Sequence, residues 1–342
     1  MPSCGSQCYL CDYPIRFDTY KGCSHGCKYC FVQRSGKYNM NNIKPFECVE
    51  GLRSFITRGG GVNLVTNWCD WDIPLHWGGV SDPFQPIERR YRNSYECLKV
   101  FAETKYPFIV SSKGILSAEP EYLELLQECN CVYQISMVCA KYDVLEQGAP
   151  SFEERITIAK RIVPKVKRLI VRVQPYMHEV LYDVLENLAK FRDLGAYGVI
   201  IEGIKFFTNK QGLVKVGADY CYPYKLIRED FLRLKDKAHS LGLSIYAGEN
   251  RIRALGDSLS CCGAEGVKGF RGNHFNLNHI LNGDFVEPTL AQKQTGTAGC
   301  FKAIYQDTKN CRMINKLSFS EMMLKYYSER KPLLEEIFGL RY

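Results

Sequence analysis

From about residue 72 to 250, short apolar runs alternate with longer stretches whose apolar residues recur every three or four positions. This is the pattern of βα units built on a parallel sheet. Ile73–Trp77, Phe108–Ser112, Val132–Val138, Leu169–Gln174, Val199–Ile204 and Leu243–Ala247 predict strands, with Ile15–Tyr20 before them as the first. Several are almost wholly apolar, as strands covered on both faces must be. Between them Glu88–Glu103, Pro120–Glu128, Phe152–Val163, Val180–Leu194 and Lys225–Leu241 predict helices. Ser151 and Glu154 form a capping box, and Gly195 and Gly242 act as helix stops. Right-handed crossovers would curl six or seven such units into a full or partial barrel, with its chemistry at the C-terminal ends of the strands.

After about residue 251, Gly, Asn and Cys become frequent and regular periodicity fades; only Ser318–Phe338 reads as a last helix. The expected division is a Cys-rich extension over 1–13, a barrel over 14–250, and a Cys-containing extension over 251–342 laid across the barrel mouth.

Composition adds bounds. The 342 residues are 46% hydrophobic and 24% charged, which suits a soluble globular protein. No run approaches the roughly 18 apolar residues of a membrane span, and Met1-Pro2-Ser3-Cys4 lacks the basic and apolar regions of a signal peptide, so a cytoplasmic protein with no membrane partner is expected. Seventeen cysteines, odd in number and unevenly spaced, point to reduced thiolates held for metal binding. The net charge of +8 leaves room for an anionic partner, but the basic residues are spread along the chain and do not identify it.

The most specific chemistry lies in Gly22-Cys23-Ser24-His25-Gly26-Cys27-Lys28-Tyr29-Cys30-Phe31. Cys23, Cys27 and Cys30 form a C-x3-C-x2-C triplet that can ligate three irons of a [4Fe-4S] cluster and leave the fourth iron open. An open iron can chelate the amino and carboxylate groups of S-adenosylmethionine (SAM), whose reductive cleavage gives a 5′-deoxyadenosyl radical. The alternative, a zinc site, usually takes four ligands in two pairs.

The triplet with Tyr29 resembles the hallmark of the radical SAM superfamily. The stretches Tyr20–Cys27, Gly79-Val80-Ser81-Asp82-Pro83-Phe84-Gln85-Pro86-Ile87-Glu88 and Gln147-Gly148-Ala149-Pro150-Ser151-Phe152-Glu153-Glu154-Arg155 are similar to its spore photoproduct lyase-like branch, over roughly the first half of the barrel. The resemblance implies an α/β fold, a partial (β/α)6-type TIM barrel, with the cluster on the loop after the first strand. It further implies Tyr29 near the adenine, and Gly78, Gly79, Ser81 and Asp82 near the methionyl amino group. One departure matters: Gly79 stands where the lyase carries its hydrogen-donating cysteine, and glycine cannot donate to a substrate radical, so faithful thymine-dimer repair is not expected. Cys69 and Cys139 are the candidate substitutes, each also readable as a buried small hydrophobe. Ser136 shares the strand that Cys139 ends.

Cys4, Cys8 and Cys11 repeat the C-x3-C-x2-C spacing. With Cys261 and Cys262, or with Cys300 and Cys311, they are candidates for a second iron–sulfur cluster, for a structural zinc, or for plain thiols. Lys113 and Arg172 fall near strand ends, where a cation can meet the SAM carboxylate or a substrate phosphate. Glu202 inside an apolar strand, and more weakly Glu249, suggest ribose or substrate contact, or a paired core charge. Trp68, Trp71 and Trp77 can stack a base or pack a core; Tyr220, Tyr222 and Tyr224 can relay a hydrogen atom or merely cover a surface. His25 is read as shaping its loop.

The leading reading is a radical SAM enzyme, of lyase or oxidoreductase type, that takes a nucleic acid, nucleotide or related anionic substrate and is served by a reductant such as flavodoxin or ferredoxin. The alternatives are a peptide- or protein-modifying radical SAM enzyme with an auxiliary cluster, and a non-catalytic zinc-binding nucleic-acid adaptor.

Overall fold

Apolar strands that alternate with amphipathic helices form one sheet of eight strands whose order follows the chain: β1 (Ser3–Cys4), β2 (Ile15–Phe17), β3 (Leu75–Trp77), β4 (Phe108–Ser112), β5 (Cys131–Ser136), β6 (Arg168–Tyr176), β7 (Gly198–Gly203) and β8 (Ser244–Ala247). The edge strand β1 is antiparallel to β2, and β2 to β8 run parallel. The computed structural model describes residues 2–4, 10–34, 42–57, 73–217, 219–274, 276–286 and 328. Helices α1 (Val49–Thr57), α2 (Asn93–Thr104), α3 (Pro120–Glu128), α4 (Phe152–Ile162), α5 (Leu181–Asp193) and α6 (Tyr224–Ser240) make the successive crossovers, and α7 (Leu277–Asn282) follows the last strand. The architecture is an α/β partial barrel with six crossover helices.

Period-two alternation sorts the strand side chains into two layers. One face packs on the helices, where Phe17, Trp77, Phe84, Phe101 and Phe108 are buried together and the Phe101 and Phe108 rings lie 4.1 Å apart. The other face begins with the apolar residues Ile109, Val132, Ile170 and Ile200. Two positions further along the same strands come Ser111, Gln134, Arg172 and Glu202. The barrel interior is therefore apolar at its base and polar toward the strand C-termini, where the sequence places the chemistry.

That base is plugged by the chain itself. Cys262 and Ala264 join Tyr13 in the inner apolar layer. Gln134 Nε2 donates to the Cys262 carbonyl (2.7 Å), and Arg168 Nη1 donates to the carbonyls of Gly263 and Glu265 (2.8 Å each). Gly263 has φ 66°, and a Cβ there would lie 2.7 Å from Ile170 Cδ1, so the plug needs glycine at this point. Residues 261–265 thus close the N-terminal end of the barrel. The cover expected over the mouth would have to come from residues 287–342, and these, with the helix expected over Ser318–Phe338, fall outside the described residues except for residue 328.

The expected single helix Glu88–Glu103 is two, Glu88–Tyr91 and α2, separated by Arg92 at φ 51°. The cause is Glu88. Its buried carboxylate turns back to accept the N–H groups of Ser94 (2.9 Å) and Tyr95 (2.8 Å) at the start of α2, as well as the hydroxyls of Tyr122 (2.8 Å) and Tyr20. A negative group at a helix N-terminus is favourable, but here it can reach only if the chain breaks first. The capping box is present: Glu154 N–H donates to Ser151 Oγ (3.3 Å) and Ser151 N–H to Glu154 Oε2 (2.7 Å).

Glu88→Ala strands four donors in the core, and at about 1–3 kcal/mol for a buried group left unpaired it should cost about 3 kcal/mol or more. Urea unfolding should show a lower midpoint at unchanged slope; a midpoint equal to that of wild type would remove Glu88 from its place as the cap of α2.

Candidate functional site

Between β2 and α1 the chain makes the loop that carries Cys23, Cys27 and Cys30, turning at Gly22 (φ 88°) and Gly26 (φ 58°). The loop is pinned from two sides. Ser24 N–H donates to Gln85 Oε1 (2.8 Å), and Gln85 Nε2 donates to the Gly22 carbonyl (3.1 Å). Opposite, Lys28 N–H donates to the Leu145 carbonyl (2.9 Å) and Gly148 N–H to that of His25 (3.1 Å). A Cβ on Gly148 would lie 2.4 Å from the Ser24 carbonyl oxygen, so only glycine lets the two segments meet.

The three cysteines are free thiols. Burial, with the Asp82 carboxylate adding to it, pushes Cys23 up to about 12. Burial also raises Cys27, and Lys113 offsets part of that rise. Such thiols become thiolates when a metal replaces their protons. Among the described residues, Asp12, His274 and His279 are the group of three Cys, His, Asp or Glu whose ligand atoms all lie within 4.8 Å of one another.

Beside Cys27 stands a charged group buried at the loop's edge. The Tyr29 hydroxyl donates to Glu146, which pairs with Arg155 and lies 3.8 Å from Lys113 Nζ. Lys113 Nζ sits 5.7 Å from the Tyr29 ring centroid, and Arg155 Nη1 donates to the Ser136 carbonyl (2.8 Å). Burial and the Glu146 charge keep the Tyr29 hydroxyl protonated far above its ordinary range. Tyr29, Lys113 and Ser136 are thus brought together. Glu146 and Arg155, which join them, escaped the sequence reading although Arg155 lies in one of the segments that carry the resemblance; their sequence neighbourhood gives no hint of a buried pair.

At the end of β3, Gly78 (φ 88°) packs so tightly on β4 that a Cβ would lie 2.3 Å from the Ser111 carbonyl oxygen. Gly79 is different: a Cβ there would meet Arg16 Cδ and Asp18 Oδ2 at an ordinary 3.8 Å. Ser81 N–H donates to Asp18 Oδ1 (3.2 Å). Asp82 accepts from Phe84 N–H (2.9 Å), Ser112 Oγ (2.7 Å) and Lys113 N–H (2.6 Å), and its Oδ2 lies 3.5 Å from His25 Nδ1. Asp82 is engaged by the protein on both oxygens, which fixes the strand ends and the loop.

Inside the barrel, Arg172 Nη1 donates to Ser111 Oγ (2.7 Å) and Gln134 Oε1 (3.2 Å), and Nη2 donates to Gln174. Its Nε is buried without a hydrogen-bond partner among the described residues, an N–H suited to an anionic acceptor. His76 donates or accepts at Ser111 Oγ (3.1 Å) through Nε2 and meets Arg16 through Nδ1; burial and the charges of Arg16 and Arg172 hold it neutral. Glu202 lies 3.9 Å from Lys205 Nζ, and Glu249 pairs with Arg251. Burial raises the Glu249 carboxyl.

Other expected residues lie apart. Cys139 is 3% exposed and is buried beside Tyr142, whose ring centroid lies 6.1 Å from that of Tyr29. Tyr222 donates to Glu179 and packs edge-on against Phe206, while Tyr220 belongs to the two-stranded ladder Val214–Val216 with Asp219–Cys221; Tyr142 lies near both Tyr222 and Cys139. Trp77 is a core residue of the aromatic cluster; Trp68, Trp71, Cys69, Cys300 and Cys311 fall outside the described residues. Of the N-terminal triplet, Cys8 and the Cys4 side chain also fall outside them, but Cys11 does meet Cys261 and Cys262 under the barrel. Cys261 and Cys262 Sγ lie 3.8 Å apart, Cys262 Sγ lies 3.8 Å from His76 Nδ1, and Arg16 Nη2 donates to Cys11 Sγ at 3.8 Å.

The fold is similar to that of spore photoproduct lyase, as the three sequence segments led one to expect. A complex of that enzyme with dinucleoside spore photoproduct superposes with a TM-score of 0.52 and 15% identity, over 67% of this chain and 75% of the other. A double mutant with bound AdoMet and dinucleoside spore photoproduct gives 0.52 and 15%, over 72% and 77%. In sequence, uncharacterized proteins of Mycobacterium tuberculosis and Mycobacterium bovis are 24% identical over 212 residues, 58% of this chain. The match spans 62% of the length of those relatives. No family model matches the chain.

The contrast between the adjacent glycines is testable. Gly79→Ala should melt within a degree or two of wild type, whereas Gly78→Ala, strained in φ and in contact with backbone, should lose more than about 1 kcal/mol. Equal melting of the two variants would show that β3 and β4 do not meet as described.

Proposed function

We propose that the chain is a radical SAM enzyme acting on a nucleic acid, nucleotide or related anionic substrate. The observation that carries this reading is the C-x3-C-x2-C loop of free thiols at the C-terminal end of the first parallel strand, pinned by Gln85 and Gly148 on a barrel folded like spore photoproduct lyase. In this reading Cys23, Cys27 and Cys30 hold a [4Fe-4S] cluster, which when reduced supplies the electron that cleaves SAM. Tyr29, held by Glu146, offers its ring beside the cluster loop for the adenine. Gly78 lets β3 close against β4, Gly79 leaves room beside Arg16 and Asp18, and Ser81, whose hydroxyl reaches Asp18, would stand with them by the methionyl amino group. Lys113 and the unpartnered Nε of Arg172 offer cationic donors to the SAM carboxylate or a substrate phosphate. Glu202 stands on the same inner face for ribose or substrate, with Lys205 balancing its charge. Nothing in this set supplies a thiol at Gly79, and Cys139 is buried, so the reading does not extend to clean repair of a thymine dimer. The electron would come from a flavodoxin or ferredoxin.

Replacing Cys23, Cys27 or Cys30 by alanine should abolish 5′-deoxyadenosine formation by the reduced, anaerobically reconstituted protein, because a cubane held by two thiolates is not retained. Undiminished cleavage in any one variant sinks the assignment.

We further propose that Cys11, Cys261 and Cys262 contribute to a second iron–sulfur cluster, the feature that would ally the chain with peptide-modifying enzymes. The support is electrostatic. The hydrogen bond from Cys262, then the Arg253 and Arg16 charges, hold the Cys261 thiol well below its ordinary range in a buried pocket where cations face sulfur. Wild type should then carry about eight irons and a Cys11/Cys261/Cys262 triple-alanine variant about four. Equal iron in both, by elemental analysis, would leave these residues as plain thiols.

A further inference from the structure

Next to Cys11 in the chain, two histidines and a carboxylate converge on the underside of the fold. Asp12 is buried. Its Oδ1 accepts from Asn276 Nδ2 (2.8 Å), which leaves Oδ2 to face His279 Nε2 at 3.2 Å and His274 Nε2 at 3.8 Å. The two imidazoles stack with centroids 4.3 Å apart and an interplanar angle of 23°, so both Nε2 atoms point the same way. The backbone is shaped to permit this. A Cβ on Gly272 would lie 2.5 Å from His274 Nε2 and 3.3 Å from Asp12 Oδ2, and Asn273 N–H donates to the Asp12 carbonyl (2.8 Å).

The outer nitrogen of His279 is held in the way a metal-ligating histidine is held. Asp284 Oδ1 lies 2.9 Å from His279 Nδ1 and accepts its proton. With Nδ1–H committed to Asp284, Nε2 is the nitrogen turned to Asp12 Oδ2, and His274 Nε2 arrives beside it, so that three ligand atoms lie within 4.8 Å of one another. A proton on His279 Nε2 satisfies that one pair, whereas a cation among the three satisfies all of them. A carboxylate on the remote nitrogen of a ligating histidine is the usual device for orienting it toward a metal. The spacing fits as well: ligand atoms about 2.0–2.1 Å from a tetrahedral zinc stand about 3.3 Å from one another.

We propose that Asp12, His274 and His279 bind a divalent transition metal, zinc in the first instance, with Asp284 positioning His279. Two imidazoles and one carboxylate suit zinc rather than calcium or magnesium, which prefer oxygen alone. His274 stands at the solvent edge, which leaves the fourth position to water. The metal would join residue 12, just ahead of β2, to the segment 272–284 that follows the barrel plug. The proposal is independent of any cluster on the cysteines.

The test is zinc uptake by the full chain, measured by competition with a chromophoric chelator, in wild type and in His274→Ala. That side chain is exposed and its loss should leave the fold intact. Wild type should take up about one equivalent more than His274→Ala with the same iron content, and Asp284→Asn should bind that equivalent 10- to 100-fold more weakly. Cobalt(II) in wild type should give the visible bands of a tetrahedral site, and these should be lost in His274→Ala. Equal zinc uptake by wild type and His274→Ala, with identical cobalt spectra, would overturn the proposal and leave His279 as an imidazolium held between Asp12 and Asp284.

Discussion

The mouth of this barrel depends on the buried carboxylate of Asp82. It accepts from the Phe84 N–H in its own loop and from Ser112 and Lys113 at the end of the neighbouring strand, and it faces His25 in the cysteine loop. A carboxylate out of water is costly unless its oxygens are supplied with donors, and here the donors come from three separate stretches of chain. Satisfying one charge therefore fixes three backbones at once. Lys113 is delivered beside Tyr29 because its own N–H is held by Asp82, and the loop that carries Cys23 and Cys27 is held from below by the same group.

Charge balance at the site follows from that arrangement. Glu146 lies between Arg155, Lys113 and the Tyr29 hydroxyl, so a cation-rich corner beside Cys27 already has its counter-ion. Deeper in the barrel, Arg16 and Arg172 flank a neutral His76; Arg172 has Ser111, Gln134 and Gln174 as partners and Arg16 has His76 and Cys11, none of them a carboxylate. Positive charge in the interior is hydrogen-bonded but not neutralised by these partners, which is the condition under which an anionic ligand gains most from entering.

The sheet was legible because its period is two and its inner and outer faces differ in kind: Ile170 and Arg172 on one strand, or Ile200 and Glu202 on the next, announce both the strand and the direction in which its chemistry lies. Phe108–Ser112 and Pro120–Glu128 have the bounds that pattern and proline imply. The cysteine loop was legible for another reason, since three ligands within eight residues need no tertiary knowledge. Glu88, Glu146 and Arg155 were not. Each is a charged residue on or beside a helix, indistinguishable in sequence from a solvated one, and only contacts across the fold with Tyr20, Tyr122 or Tyr29 show that it is buried. Cys139 is a different case: it lies past Ser136, where the strand ends, so strand alternation does not give the direction of its thiol.

The plug at residues 261–265 fixes the traffic of the barrel. With Arg168 holding the carbonyls of Gly263 and Glu265, and Cys262 and Ala264 buried among the inner isoleucines, the N-terminal end offers no passage among the described residues. Among the described residues, the way to Arg172 is therefore the mouth. Two molecules that shared such a chamber would not exchange independently, because the one lying deeper would be released only after the other had gone, and binding would be ordered by architecture.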